Sequence, residues 1–398
     1  MTPAVDARSL TRVPQAASRD NRRRDVFAAA LFVIAIATMG LGAFRPRANA
    51  ALDSENRTIL AWPAPAFTRA FASNFERAFA DRFAGRDALL RIHNRTLVRA
   101  FGVSPAQNVL IGRDGWLYFL GEEGTSFDRF YRGAPGLTDA QVALILAELK
   151  RRERFLASHR IAYVVTIAPD KETIYPEHLP RWAVQSAQRT PLERLTQAIR
   201  ADGTLRYVDL RAPLRAAKAR ERVYYATDSH WNFLGAAVAY REIMRAVSEA
   251  LPTKNVSIAP VVMPPYTPGV DVYRGDLARM TGDIGHFGEP DYAPLGKILA
   301  TPQSRCGKRI DAGNSVAYEW YGCNRPGLPQ AVVYRDSMAI PLIPMLSENF
   351  SRVAYVSSHL IDAAFVLRER PDVVIEEMVE RAMLSPVATP MPEPEPDR

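Results

Sequence analysis

A chain of 398 residues with 47% hydrophobic and 24% charged side chains has the composition of a folded globular protein and the length for one large domain or two ordinary ones. The net charge of +8 is unevenly divided: residues 1–50 hold eight arginines against three aspartates, and the remainder carries only +3. So mild a balance in the body excludes a nucleic-acid footprint and points to neutral or acidic small molecules and glycans as partners.

Residues 1–25 read as a basic cytoplasmic segment. Residues 26–44, from Val26 to Phe44, carry no charge and are long enough to cross a bilayer as one helix. Six arginines precede this run and only Arg45 and Arg47 follow it closely, which places the N-terminus in the cytoplasm and the rest outside. Ala48-Asn49-Ala50 fits a signal-peptide cleavage site, and Arg23-Arg24 with Phe27 faintly matches a twin-arginine signal. The length of the apolar run and the two arginines after it favour an uncleaved anchor. Either way the body is exported, to the periplasmic side in a bacterium.

A polar, proline-punctuated connector from Leu52 to Ala66 follows. Phe71, Phe75, Phe79 and Phe83 recur every four residues, so an amphipathic helix should bury one aromatic stripe. Val109 to Phe119, with Asp114-Gly115 at its centre, reads as a hairpin with a primed turn. From Thr138 onward helices alternate with strands. A helix over Asp139–Ser158 leads to a strand over Ile161–Ile167, and a helix near Leu192–Arg200 leads to Leu205–Leu210. Val223-Tyr224-Tyr225 reads as another strand end, ahead of a helix over Phe233–Leu251. A proline- and glycine-rich irregular stretch runs from Pro252 to about Gly296. Cys306 and Cys323 enclose a short segment whose alternation suggests a hairpin, and an oxidising compartment makes a disulfide the default. Strands return at Ala331–Tyr334, Val353–Val356 and Asp372–Ile375. This rhythm predicts an α/β fold with a mostly parallel sheet flanked by helices. The body is expected to be one domain over 51–384, with a disordered Pro/Glu-rich tail at 385–398.

Two of the apolar runs end in reactive side chains. Asp228-Ser229-His230 follows Val223-Tyr224-Tyr225, and Arg335-Asp336-Ser337-Met338 turns from a short buried strand into a helix. Ser337, His230 and Asp228 suffice for a nucleophile, a base and an orienting carboxylate, and open α/β sheets keep their sites at strand carboxyl ends. Other readings of the same residues stay open: Asp-Ser as a plain helix cap, Asp-x-His as two metal ligands, or a structural Asp228 and a packed His230. The five other histidines show no metal-ligand spacing, so the triad ranks above a metal site. No phosphate loop or internal repeat is present, and no cofactor is implied.

Beyond these residues the chain resembles the alginate O-acetyltransferase family (AlgJ/AlgX type), whose catalytic domain is similar to SGNH hydrolases. The resemblance is carried by Glu55-Asn56-Arg57, Asp81-Arg82-Phe83 with Arg86-Asp87, and Gly112-Arg113-Asp114-Gly115-Trp116-Leu117. It continues through Ala168-Pro169-Asp170-Lys171, Asp228-Ser229-His230-Trp231, Arg335-Asp336-Ser337 and Pro371-Asp372-Val373-Val374. The Asp/His block precedes the Ser block, the order of a circularly permuted SGNH-hydrolase-like domain. Met338 stands where the family often has an aromatic residue. Only the acidic tail follows Arg381, with no carbohydrate-binding module, which puts the chain nearer the membrane-anchored AlgJ branch.

The resemblance implies a periplasmic O-acetyltransferase anchored in the inner membrane. Ser337 would accept the acetyl group, with His230 as base and Asp228 orienting it. An exopolysaccharide such as alginate would be the acceptor, and a membrane-bound O-acyltransferase the partner that delivers the donor. The backbone N–H of Ser337 or Met338 is a natural oxyanion donor. Arg335, Lys171 and Tyr175 are candidates for lining the pocket or meeting a polymer carboxylate, with structural roles open for each. Asp336 is expected to cap the turn. A carbohydrate acetylesterase would use the same triad, and a non-catalytic export scaffold would need none of it.

Overall fold

Thr138 and Thr190 each accept the N–H three residues on while Gln141 and Glu193 reach back to their backbones, a reciprocal cap that starts a helix sharply. The computed structural model describes residues 19–42, 51–52, 57–65, 68–83, 86–121, 137–184, 190–256, 258, 261, 272–290, 306–312, 317–323, 325, 327–384 and 387. The chain divides into two compact units, Met1–His93 and Asn94–Arg398.

The first unit holds helix α1 (Arg19–Gly42) over the uncharged run and helix α2 (Arg69–Arg82), capped by the Thr68 hydroxyl on the Phe71 N–H. Among the described residues no helix is long and apolar enough to cross a membrane; the end of the run, at Ala43-Phe44, and most of the segment 1–25 lie outside them. The aromatic stripe forms as the spacing predicts, with ring centroids 5.9–6.3 Å apart from Phe71 to Phe83. It is not buried as expected, because Phe75 keeps 36% of its surface. Rings at i and i+4 pack along the helix on one another, and Trp62 packs on Phe75 at 5.2 Å.

In the second unit a π-helical segment over Leu97–Phe101 precedes the hairpin β1 (Val109–Ile111) and β2 (Leu117–Phe119). Its turn has positive φ at both Asp114 and Gly115, the geometry that matches the twist of two adjacent strands. Helix α3 (Asp139–Ser158), strand β3 (Ala162–Ala168), the single turn α4 (Lys171–Ile174), helix α5 (Pro191–Asp202), strand β4 (Tyr207–Asp209), and helices α6 (Arg211–Lys218) and α7 (Phe233–Ala250) follow. Short elements β5 (Val272–Tyr273), α8 (Asp276–Met280) and β6 (Glu289–Pro290) interrupt the irregular stretch. Then come β7 (Cys306–Ala312), β8 (Ala317–Cys323), β9 (Gln330–Tyr334), a 3-10 segment over Ser337–Leu342, α9 (Ile343–Ser347), β10 (Arg352–Val356), α10 (Ala363–Glu369) and β11 (Val373–Val379).

One seven-stranded sheet has the order β4-β3-β11-β9-β10-β8-β7. The first five strands are parallel and the last two join antiparallel, so the sheet is mixed. Alternating side chains serve two cores. Val164, Val333, Val353 and Ile375 pack with α7 on one face. Val165, Val332, Ala354 and Val374 pack with α3, α5 and α10 on the other.

Two expectations need correction. Val223-Tyr224-Tyr225 is no strand of this sheet: only an isolated bridge joins Tyr224 to Trp231. Its polar groups are met elsewhere, the Val223 N–H by the Tyr175 hydroxyl at 3.0 Å, and the Tyr224 hydroxyl donates to the Pro169 carbonyl at 2.6 Å. The turn after Asp336 starts as a 3-10 segment in place of an α-helix, because Pro341 and Pro344 lack the N–H groups that α-helical bonding needs. The tail beyond Leu384 lies outside the described residues apart from Val387.

Candidate active site

Strand β9 ends at Tyr334, and three bonds fix the chain just past it. The Arg335 N–H donates to the Val356 carbonyl at 2.9 Å. Asp336 accepts the Met338 N–H at 2.8 Å on one oxygen and the Val379 N–H at 2.6 Å on the other. One carboxylate thus caps the turn and ties it to the end of the neighbouring strand β11. Ser337, held on this corner at the carboxyl edge of the sheet, is exposed.

Its Oγ lies 2.8 Å from His230 Nε2, and His230 Nδ1 lies 2.6 Å from Asp228 Oδ1. Asp228 is saturated with donors. Besides the ring, its oxygens accept the His230 N–H at 3.0 Å, the Tyr273 hydroxyl at 2.6 Å and the Asp276 N–H at 3.0 Å. Burial opposes the charge of Asp228, but hydrogen bonds from His230 and Tyr273 and the charge of His230 outweigh it and hold the carboxyl well below its ordinary range. Burial likewise favours a neutral His230, and the hydrogen bond and charge of Asp228 reverse this and raise it.

Buried groups hold the Asp228 loop from beneath. Lys171 is 2% exposed, and its ammonium donates to the carbonyls of Tyr225, Ala226 and Asp228 at 3.0, 2.9 and 2.6 Å. Burial lowers its pKa to about 8, partly offset by Asp228. Glu289 accepts the N–H groups of Ala226 and Thr227, both at 2.8 Å, and the Thr227 hydroxyl at 2.7 Å. Gly275 fits where nothing larger can: a Cβ there would stand 2.4 Å from the Thr227 carbonyl oxygen and 2.5 Å from Asp228 Cα.

The structure therefore brings together the side chains of Asp228, His230 and Ser337, and the side chains of the other three candidates take no part in that chain of contacts. Lys171 and Tyr175 sit under the loop and do not line its mouth: the Tyr175 ring stacks on Trp116 at 4.4 Å and its hydroxyl accepts from Val223. Arg335 turns to the Asp336 carbonyl at 3.3 Å. Of the two expected oxyanion donors, the Met338 N–H is taken by Asp336, which leaves that of Ser337, since the first N–H groups of a helical turn have no partner within it. Tyr273, Asp276, Glu289 and Gly275 come from the stretch read as irregular. Only the Gly275-Asp276 pair hinted at a tight turn there. Donor atoms of Asp228, His230 and Asp276 converge within 4.8 Å, but they already bond to one another, to Tyr273 and to Ser229, as a hydrogen-bonded relay does. Cys323 stands opposite Cys306 in the β7–β8 register; their side chains lie outside the described residues.

Residues 109–301 match the family described as SGNH hydrolase-like domain, acetyltransferase AlgX. The probable alginate O-acetylase AlgJ of Pseudomonas syringae pv. tomato is 31% identical over 147 residues, covering 37% of this chain and 35% of that protein. Its counterpart in Pseudomonas putida is 34% identical over 140 residues, 35% of this chain and 34% of that protein. Over these residues the chain is similar to the alginate O-acetyltransferase family of the AlgJ/AlgX type. Its matched part spans about a third of the length of these relatives. Among solved structures, the O-acetyltransferase domain of Pseudomonas putida AlgJ aligns with a TM-score of 0.45 and 22% identity over 70% of this chain and 92% of that one. PatB1 of Bacillus cereus aligns with a TM-score of 0.45 and 14% identity over 70% and 97%. The family match includes Asp228, His230 and Asp276 and stops before Ser337, so Ser337 enters the site on geometry alone.

Proposed function

We propose that the protein transfers an acetyl group through Ser337 onto hydroxyls of an exopolysaccharide such as alginate, on the periplasmic side of the inner membrane. The observation that carries this reading is the chain of contacts from Ser337 Oγ to His230 Nε2 at 2.8 Å and from His230 Nδ1 to Asp228 at 2.6 Å. His230 takes the Ser337 proton as Oγ attacks the acetyl carbonyl of the donor, and returns it to the leaving group as the ester forms on Ser337. A sugar hydroxyl then loses its proton to His230 and attacks that ester, and the proton goes back to Ser337. The Ser337 N–H faces the oxyanion in both steps. Asp228 keeps Nδ1 protonated and supports the imidazolium.

A membrane-bound O-acyltransferase fits as the source of the acetyl group, and α1 as part of the anchor that keeps the two together. The Asp/His block before the Ser block fits a circularly permuted SGNH domain. Hydrolysis is the second reading, favoured by the exposure of Ser337 to water: the same ester would then pass to water. Ser337→Ala in the producing cell separates these readings. Transfer predicts polymer that is still exported but has lost its O-acetyl groups. More heavily acetylated polymer supports the esterase, and lost export with a folded variant supports a scaffold.

A further inference from the structure

His230 faces a second carboxylate. Asp276 opens helix α8, and its Oδ2 lies 3.7 Å from His230 Nδ1. Ser229 stands between them. Its hydroxyl donates to Asp276 Oδ2 at 2.5 Å and lies 3.2 Å from His230 Nδ1, while its N–H donates to Asp276 Oδ1 at 2.8 Å. The Asp276 N–H meanwhile holds Asp228 Oδ2. A residue that only capped its helix would need one oxygen on its own turn, as Oδ1 supplies to the Leu277 N–H at 2.6 Å. The other oxygen is turned toward the imidazole.

We infer that Asp276 is a positioning residue which, through Ser229 and its own charge, sets the orientation and basicity of His230. This rests on the reading of His230 and Ser337 as base and nucleophile. The groups that bear on the ring are Asp228 on its own loop, Asp276 from α8, Tyr273 from β5 through Asp228, Lys171 below the loop, Ser337 after β9 and Arg381 after β11. Burial disfavours the ring's positive charge and Arg381 adds to this. Asp228 and then Asp276 act in the opposite direction. Burial and the charge of Asp228 push the Asp276 carboxyl up, so it titrates closer to the ring than an ordinary aspartate does. Its side chain is 38% exposed, and solvent screens part of its effect.

The test is the titration of His230 by NMR in wild type and in Asp276→Asn, beside the pH profile of kcat/KM for an aryl acetate. Asp276→Asn keeps the shape and removes the charge. The inference predicts a His230 midpoint lower by roughly half a unit or more, with the acidic limb of kcat/KM moving to lower pH by the same amount. Asp276→Glu, which keeps the charge, should return the midpoint toward wild type. An unmoved midpoint in Asp276→Asn overturns the proposal, as does a midpoint in Asp276→Glu that falls as far as in Asp276→Asn. Should the Asn variant not fold, the Glu variant decides: a wild-type midpoint supports the role and a lowered one contradicts it. The midpoint does not depend on what Ser337 does. An aryl acetate rate untouched by Ser337→Ala would defeat the acyl-transfer reading while the midpoint still judged Asp276.

Discussion

At the scale of single residues, the site depends on a lysine that never reaches its surface. Lys171 places one buried ammonium under three carbonyls of the Asp228 loop, so its work is to hold the loop that carries Asp228 and His230. Lys171→Met, close in volume, would leave those carbonyls without their donor. A buried acceptor left unpaired costs about 1–3 kcal/mol, so denaturant unfolding should show a loss of about 2 kcal/mol or more. Aryl acetate turnover should fall with it. A stable, fully active Lys171→Met would contradict this role. The sequence placed Lys171 near the site through the Ala168-Pro169-Asp170-Lys171 block but could not say which way its side chain turns. Direction is set by the loop above it, which lies more than fifty residues further along.

At the scale of elements, the parallel strands were readable because Val and Ile runs separated by capped helices have few other ways to be buried. The end of β9 at Tyr334 was readable for the same reason, and with it the corner that carries Ser337, whereas β11 runs on to Val379, past the expected end at Ile375. The Val223–Tyr225 run was not, since an aromatic-rich apolar run reads alike whether neighbouring strands or loop groups satisfy its backbone. The most consequential omission is the segment from Tyr273 to Asp276, which has no periodicity and gains its role by lying on a loop 45 to 48 residues earlier. Gly275 is the hinge of that apposition. Gly275→Ala would drive a methyl group into the Thr227 carbonyl and Asp228 Cα. Overpacking of this kind costs roughly 1–3 kcal/mol, and here the strain falls on the Asp228 loop. The variant should lose at least about tenfold in kcat/KM, since small misplacements of reacting groups are costly. Wild-type kinetics in the alanine variant would show that the loop yields without moving Asp228.

At the scale of the whole molecule, the sheet differs from a purely parallel one through its antiparallel edge, β8 and β7. The hairpin was legible from the alternation between the two cysteines, but its fusion to the main sheet was not, because edge pairing depends on what lies beside it. The register sets Cys306 opposite Cys323, the arrangement a bridge between the two strands requires. A disulfide there should add on the order of 3 kcal/mol and leave no thiol to label in the non-reduced protein. Two labelled thiols would count against both the bridge and export to an oxidising compartment. The family likeness reaches this scale only in part, since it ends at residue 301 while the corner that carries Ser337 follows later in the chain.

That corner is where the account is most directly tested. The protein is incubated with an aryl acetate, quenched in acid and digested, and the acetylated peptide is identified by mass spectrometry. The account predicts acetyl on Ser337, absent in Ser337→Ala and strongly reduced in His230→Ala, with aryl acetate turnover in Ser337→Ala down by about a thousandfold or more. Acetyl carried on another residue, or turnover that survives in a folded Ser337→Ala protein, would contradict it.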